Sequence, residues 1–176
     1  MNEALANVLE TERLILRKLC TEDAAFILRL VNEPSWLQFI GDRGVRMIED
    51  ARQYILKGPV DSYERLGFGL FAVEVKDGGI AIGICGLLKR DSLDDVDIGF
   101  AFLPEFWGKG YAYESASAVL AFATTLGLNR VVAIVSKENL PSISVLEKVG
   151  MRFERMMRLP GEEEDVLLYA SQSAQT

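Results

Sequence analysis

Apolar and polar positions alternate along this chain in a way that marks out strands and helices almost from end to end. Leu14-Ile15-Leu16-Arg17, after the polar Glu10-Thr11-Glu12-Arg13, reads as a first strand. Thr21 offers an N-cap, with Glu22 and Asp23 suited to the first turn of a helix. Phe26, Ile27, Leu30 and Val31 give that helix one apolar face, and Pro34 is expected to end it. A second helix is expected from Val45 to Lys57, bounded by Gly44 and by Gly58-Pro59. The segment 35–43 between the two reads as irregular. Its Trp36 and Phe39 suit either core padding or one wall of a substrate cleft.

Phe68 to Lys76 and Ile80 to Leu88 are strand patterns joined by Asp77-Gly78-Gly79, a hairpin signal. In the next strand, Val96 to Leu103, Val96, Ile98, Phe100 and Phe102 fall on one face. Asp97, Gly99, Ala101 and Leu103 fall on the other: an acid followed by two minimal side chains, which leaves room along the strand. Gly99 also suits a bulge that shifts the register beyond it. After Gly110 an amphipathic helix carries Ala112, Ala116, Val119, Leu120 and Ala123 on one stripe and stops near Gly127. The unbroken apolar run at 131–135 suits a strand buried on both faces in a parallel pair, so strand, helix and strand form a right-handed βαβ unit. A last helix starts at Asn139-Leu140-Pro141 and ends at Gly150. Met151 to Arg158 and Asp165 to Ala170 close the fold around a Pro160-Gly161 turn, and the polar tail 171–176 is expected to fray.

Composition narrows the chemistry. The length of 176 residues suits a single domain over 1–176, and 49% apolar with 26% charged residues is ordinary for a soluble globular chain. No apolar run approaches the ~18 residues that span a bilayer. The N-terminus carries acids rather than a basic segment before an apolar one, so a cytoplasmic protein is expected. Cys20 and Cys85 lack metal-ligand spacing and are expected to be reduced. The absence of histidine removes Ser-His-Asp and Cys-His nucleophiles and histidine-based zinc sites, and no metal is expected. Proton transfer is left to a carboxylate, a hydroxyl, a lysine or water. A net charge of −7 argues against nucleic acid as a partner. It suits a cationic substrate or, more simply, solubility.

Between the strand at 96–103 and its helix lies Trp107-Gly108-Lys109-Gly110-Tyr111-Ala112. A glycine loop opening a helix aims several unpaired N–H groups and the positive end of a helix dipole at one point, which attracts phosphate. A nucleotide P-loop needs four residues between its glycines and a following Lys-Ser/Thr, and a dinucleotide fingerprint needs a third glycine where this chain has Tyr113. Neither is present. The loop and the helix behind it resemble the acetyl-coenzyme A signature Gln/Arg-x-x-Gly-x-Gly/Ala of the GNAT N-acetyltransferase superfamily, with Gly110 and Ala112 as its last small positions. Trp107 replaces Gln or Arg. That departure is typical of a branch reading Pro-Glu-x-Trp-Gly-Lys-Gly-Tyr-Ala-x-Glu, which Pro104, Glu105, Trp107 to Ala112 and Glu114 match. This branch includes the ribosomal-protein N-terminal acetyltransferases. Thr11 to Arg17, Ile82-Gly83-Ile84-Cys85-Gly86, Asn139-x-x-Ser142 and Leu146 to Met151 are similar to its other landmarks, in the right order.

The resemblance implies an α/β fold with a mixed sheet of about seven strands flanked by about four helices, around a β-α-β acetyl-CoA-binding core. It implies acetyl transfer from acetyl-CoA to a primary amine, no membrane partner, and homodimerisation as a family trait. The alternative is a catalytically silent acyl-CoA-binding module. Asp97 stands where the family often places a glutamate and is the candidate base; otherwise it is a solvated strand acid. A backbone N–H near Phe102 or Leu103 is the implied donor to the thioester carbonyl, with pantetheine between this strand and the one at 130–136. The tyrosine that many relatives use as acid is Leu146 here, so Ser142 is the candidate proton donor, or else a first-turn capping serine. Asn139 is implied to touch pantetheine or to cap the helix. Lys109 is a phosphate contact or a solvated lysine, Trp107 and Tyr111 are contact or packing residues, and Glu114 favours the helix dipole.

Overall fold

The computed structural model describes residues 7–172. Its strands are β1 (Asn7–Glu10), β2 (Leu14–Lys18), β3 (Leu70–Val75), β4 (Ile80–Leu88), β5 (Val96–Phe102), β6 (Val131–Ser136), β7 (Arg152–Arg158) and β8 (Asp165–Ala170). The helices are α1 (Ala24–Val31), α2 (Pro34–Phe39), α3 (Ile48–Ile55), α4 (Asp61–Leu66), α5 (Tyr111–Thr125) and α6 (Leu140–Lys148). One mixed sheet runs β1-β2-β3-β4-β5-β6-β8-β7, antiparallel except where β5 meets β6. This is the mixed α/β architecture expected, with strand β1 added to the edge.

The two faces of the sheet bury different side chains because the strand period is two. Leu16, Val73, Ile82, Leu87, Ile98 and Phe102 pack on the side that holds α5 and α6, against Ala116, Val119 and Leu146. Ala72, Ile84 and Leu103 pack on the other side with α1 and α3, against Ile27, Leu30 and Ile55. The division expected along β5 is therefore observed. Gly99 introduces no bulge against β4, since the register runs unbroken from Gly83–Phe102 to Leu88–Asp97. A Cβ at Gly99 would stand 3.0 Å from Leu88 Cδ1, so the space over the strand is partly filled.

Several local expectations are corrected. Pro34 does not merely end a helix: α1 already stops at Val31, and Pro34 opens α2 at its first position, where a missing N–H costs nothing. Most of the supposedly irregular segment 35–43 is thus helical. Gly58-Pro59 does not stop the helical path either. The chain widens into a π-helical turn at Leu56–Val60 and runs on into α4, which Gly67 (φ +77°) closes. The wider turn accommodates the proline ring that an α-turn would clash with. Thr21 does not cap the first helix: Thr21–Asp23 form a 3₁₀ turn ahead of α1, with Cys20 at its N-cap and the Asp23 carboxylate accepting the Cys20 N–H at 3.0 Å. In the tail, Ser171 is held by two hydrogen bonds to Val131 (2.8 and 2.9 Å), whereas 173–176 lie outside the described residues.

Candidate active site

The site begins with a ladder that stops. β5 and β6 pair only at Val96–Val131 and Asp97–Val132, after which the strands diverge while β5 stays fully paired to β4. Antiparallel pairing alternates, so every second residue of β5 turns its N–H and C=O away from β4. The Leu103 N–H is taken by the Ile82 carbonyl at 2.9 Å, whereas the Phe102 carbonyl accepts the indole N–H of Trp107 at 2.8 Å. The alternation therefore directs the Phe102 N–H into the opening. Of the two candidate carbonyl donors, Leu103 is buried and engaged elsewhere.

A cavity of about 790 Å³ passes through the sheet at this opening. Tyr111, Ala112, Asn139 and Ser142 line it on the α5–α6 side; Trp36, Tyr54 and Arg43 line it on the α1–α3 side. Asp97 and Phe102 lie in its wall, as do Trp107, Gly108 and Gly110, but Leu103 and Lys109 do not. The volume fits a small-molecule site.

At one mouth sits the glycine loop. Gly108 (φ +73°) and Gly110 (φ +82°) adopt the left-handed backbone that lets the chain turn into α5. No side chain caps α5, and the first helical bond returned to the loop is Glu114 N–H to the Gly110 carbonyl at 3.0 Å. Among the described residues the N–H groups of 108–113 have no protein acceptor. Unpaired N–H groups gathered at a helix start make a cradle of the kind that suits an anion. Lys109 reaches back over the Phe106 ring, its Nζ 5.6 Å from the centroid, so its charge stands beside the cradle rather than in the cavity wall.

The loop is fastened from a distance. Arg13 Nη1 donates to the Lys109 carbonyl at 2.9 Å, Arg13 Nε pairs with Glu114 at 2.7 Å, and its guanidinium lies 4.6 Å over the Tyr111 ring. Thr11 Oγ1 and the Arg13 N–H donate to the same Glu114 oxygen at 2.7 and 2.8 Å. Partial burial acts to raise the Glu114 pKa, but these hydrogen bonds hold it below the usual carboxylate range. Glu114 is thus a tether, a role beyond the dipole effect expected of it.

Asp97 is 1% exposed and so is not a solvated strand acid. Arg90 Nε stands 3.1 and 3.2 Å from its two carboxylate oxygens. Burial pushes the Asp97 pKa up, and the Arg90 charge draws it back only in part. Arg90 escaped the sequence reading, although the hairpin register that opposes Leu88 to Asp97 brings residues just beyond Leu88 within reach. The side chain of Asn139 accepts the Ser142 N–H at 3.3 Å and caps α6, whereas the Ser142 hydroxyl has no hydrogen bond among the described residues. Leu146 is core, 2% exposed.

Comparison with known proteins accords with this geometry. The model of the acetyltransferase (GNAT) domain matches residues 13–152. An uncharacterized N-acetyltransferase, YnaD of Bacillus subtilis (strain 168), is 31% identical over 145 residues, 82% of each chain. Another, p20 of Bacillus licheniformis, is 32% identical over 152 residues, 85% of each chain. Among solved structures, a GNAT-family acetyltransferase from Bacillus anthracis superposes with a TM-score of 0.77 at 29% identity, over 93% of this chain and 97% of that one. The fold is shared also with RimL, the ribosomal L7/L12 α-N-protein acetyltransferase, in complex with coenzyme A (TM-score 0.81, 20% identity, 96% and 98% covered). The chain belongs to the GNAT family of acetyltransferases.

Proposed function

We propose that this protein moves the acetyl group of acetyl-CoA directly to a primary amine within a ternary complex. The observation that carries the reading is one continuous cavity joining the unpaired N–H groups of 108–113, the gap between β5 and β6, and the buried Asp97. The pyrophosphate sits on the loop 107–112, on the N–H groups that begin at Gly108, with Lys109 adding charge from its flank. Pantetheine lies in the gap, where the diverging strands leave backbone groups without partners.

Acetyl-CoA supplies an acyl carbon already activated as a thioester. The chain's own groups do the rest. The Phe102 N–H donates to the carbonyl oxygen as negative charge gathers there. Asp97 takes a proton from the bound ammonium, directly or through water, and later passes it to solvent. The neutral amine so formed is the nucleophile, which an amine with a pKa of about 8 to 10.4 requires at neutral pH. A carbon–nitrogen bond forms, the nitrogen gives up its second proton to water, and the carbon–sulfur bond breaks. Ser142, whose hydroxyl is uncommitted, gives a proton to the departing sulfur and recovers one from solvent. Asp97 and Arg90 are held to each other, so the base stays oriented between turnovers.

Release of the coenzyme A thiol, followed with a thiol-detecting reagent across a panel of amines, tests the reading. Release that depends on both acetyl-CoA and an amine is the expected result. Tight coenzyme A binding without amine-dependent release across the panel overturns it in favour of a silent acyl-CoA-binding module.

A further inference from the structure

We infer that the acceptor is a small amine that also carries an anionic group, a carboxylate or a phosphate, bound by Arg43 and the hydroxyl of Tyr54. The inference rests on the acetyltransferase reading and names the substrate class of the same site.

The argument starts from the charges in the α1–α3 half of the cavity. Four charged side chains line it there: Glu33, Arg43, Arg90 and Asp97. Both acids are already engaged, Asp97 by Arg90 at 3.1 Å and Glu33 by Arg29 at 3.5 Å. Asp42, the acid next to Arg43 in the chain, is held by Arg46 Nη2 at 2.5 Å and by the Gly44 N–H at 2.8 Å. Arg43 itself makes no ion pair or hydrogen bond among the described residues. Glu33, Asp42 and Asp97 each have another guanidinium, and Asp50 accepts the backbone N–H groups of Arg46 and Met47.

Tyr54 completes the arrangement. Its hydroxyl also has no hydrogen-bond partner among the described residues; burial pushes its pKa up, and the positive charges of Arg43 and Arg90 draw it back only in part. A phenol O–H and a planar guanidinium fork lining the same half of one cavity are a donor set for a carboxylate or phosphate. Trp36, Phe39 and Leu88 supply apolar wall around it. A polyamine or aminoglycoside would instead bring several positive charges to two arginines and no uncommitted carboxylate. The four charges of this half cancel, and the one left without a partner, Arg43, is positive in a chain whose net charge is −7.

The test compares free amino acids, the corresponding amino acid amides, aminoethyl phosphate and spermidine. Thiol release and calorimetric binding are both measured, in the wild-type protein and in Arg43→Gln and Tyr54→Phe. An anionic amine is expected to exceed its neutral amide about 10-fold or more in kcat/KM and in affinity, the size of a charge-assisted hydrogen bond. Arg43→Gln is expected to bring that ratio close to one, and Tyr54→Phe to reduce it. Preference for amino acids assigns a carboxylate; preference for aminoethyl phosphate assigns a phosphate. Anionic amines that bind selectively without turnover leave the anion site standing and remove the acetyl-transfer reading. Amides or spermidine equalling the anionic amines, a preference that survives Arg43→Gln, or no binding of any anionic amine overturns the inference.

Discussion

Arg13 and Glu114 face each other across 101 positions of chain, Nε to Oε2 at 2.7 Å, and join the start of β2 to the first turn of α5. The same guanidinium holds the Lys109 carbonyl, so an N-terminal strand sets the shape of a loop near the middle of the sequence. An isolated pair this exposed contributes about 1 kcal/mol or less to stability. Its value lies in pre-organising the cradle, because a loop already ordered loses less entropy when an anion binds.

Arg13→Gln is therefore expected to raise the KM for acetyl-CoA about 10-fold while leaving kcat within a factor of about two, with a small change in Tm, as befits an exposed pair. Steady-state kinetics with acetyl-CoA varied would check this. An unchanged KM would mean that the tether does not act on the cofactor.

The two glycines of the cradle should separate in their behaviour. Both have positive φ, which a Cβ penalises by about 1–2 kcal/mol. A Cβ at Gly108 meets open space, whereas one at Gly110 comes 3.2 Å from Arg13 Nη2. Gly110→Ala is expected to weaken coenzyme A binding more than Gly108→Ala, read by calorimetric titration of each variant.

Asp97→Asn is expected to lower kcat/KM at neutral pH about 100-fold, the usual contribution of a positioned base. Because burial raises the Asp97 pKa, the acid limb of the wild-type profile should lie above the ordinary aspartate range. Arg90 draws that pKa down, so Arg90→Gln should move the limb to still higher pH. A limb that stays in place would separate Asp97 from the proton transfer.

Ser142→Ala is expected to lower kcat about 10-fold, at the small end for general acid catalysis because a thiolate is a good leaving group. Its helix cap should persist, since the Asn139 side chain accepts the backbone N–H of residue 142 and not its hydroxyl. Full activity in this variant would assign thiolate release to solvent.

Away from the site, Arg17 is 8% exposed and held by Asp23 at 2.8 Å and by Glu74 at 2.5 Å. Burial acts to raise the Asp23 pKa, but the hydrogen bonds from Arg17 and the Cys20 N–H outweigh it and the net shift is downward. A depressed carboxylate pKa contributes stability above the unfolded value of about 4, and that stability is lost as pH falls through the folded value. Asp23→Asn is expected to destabilise by about 3 kcal/mol at pH 7, because it leaves a buried guanidinium short of a partner. The deficit should shrink below about pH 4, as measured by denaturant melts across pH.

Patterns with local causes were readable from the residues alone. Strand alternation placed Asp97 and Ala101 on the face opposite Ile98 and Phe102, because the period of two is a property of the backbone. The loop at 107–112 and the helix behind it were legible because glycine, dipole and spacing act within a few residues. Misreadings arose where local rules compete. Pro34 carries the local signature of a stop and serves as a start, and Gly58-Pro59 is absorbed by a widened turn. Tertiary structure alone decided what distant residues do to one another. Arg13 reaches Glu114, Arg90 neutralises part of Asp97, and Arg43 makes no ion pair among the described residues while Glu33, Asp42 and Asp97 face Arg29, Arg46 and Arg90. Charge pairing across a fold depends on three-dimensional distance and burial, and neither is encoded in the period of any single strand or helix.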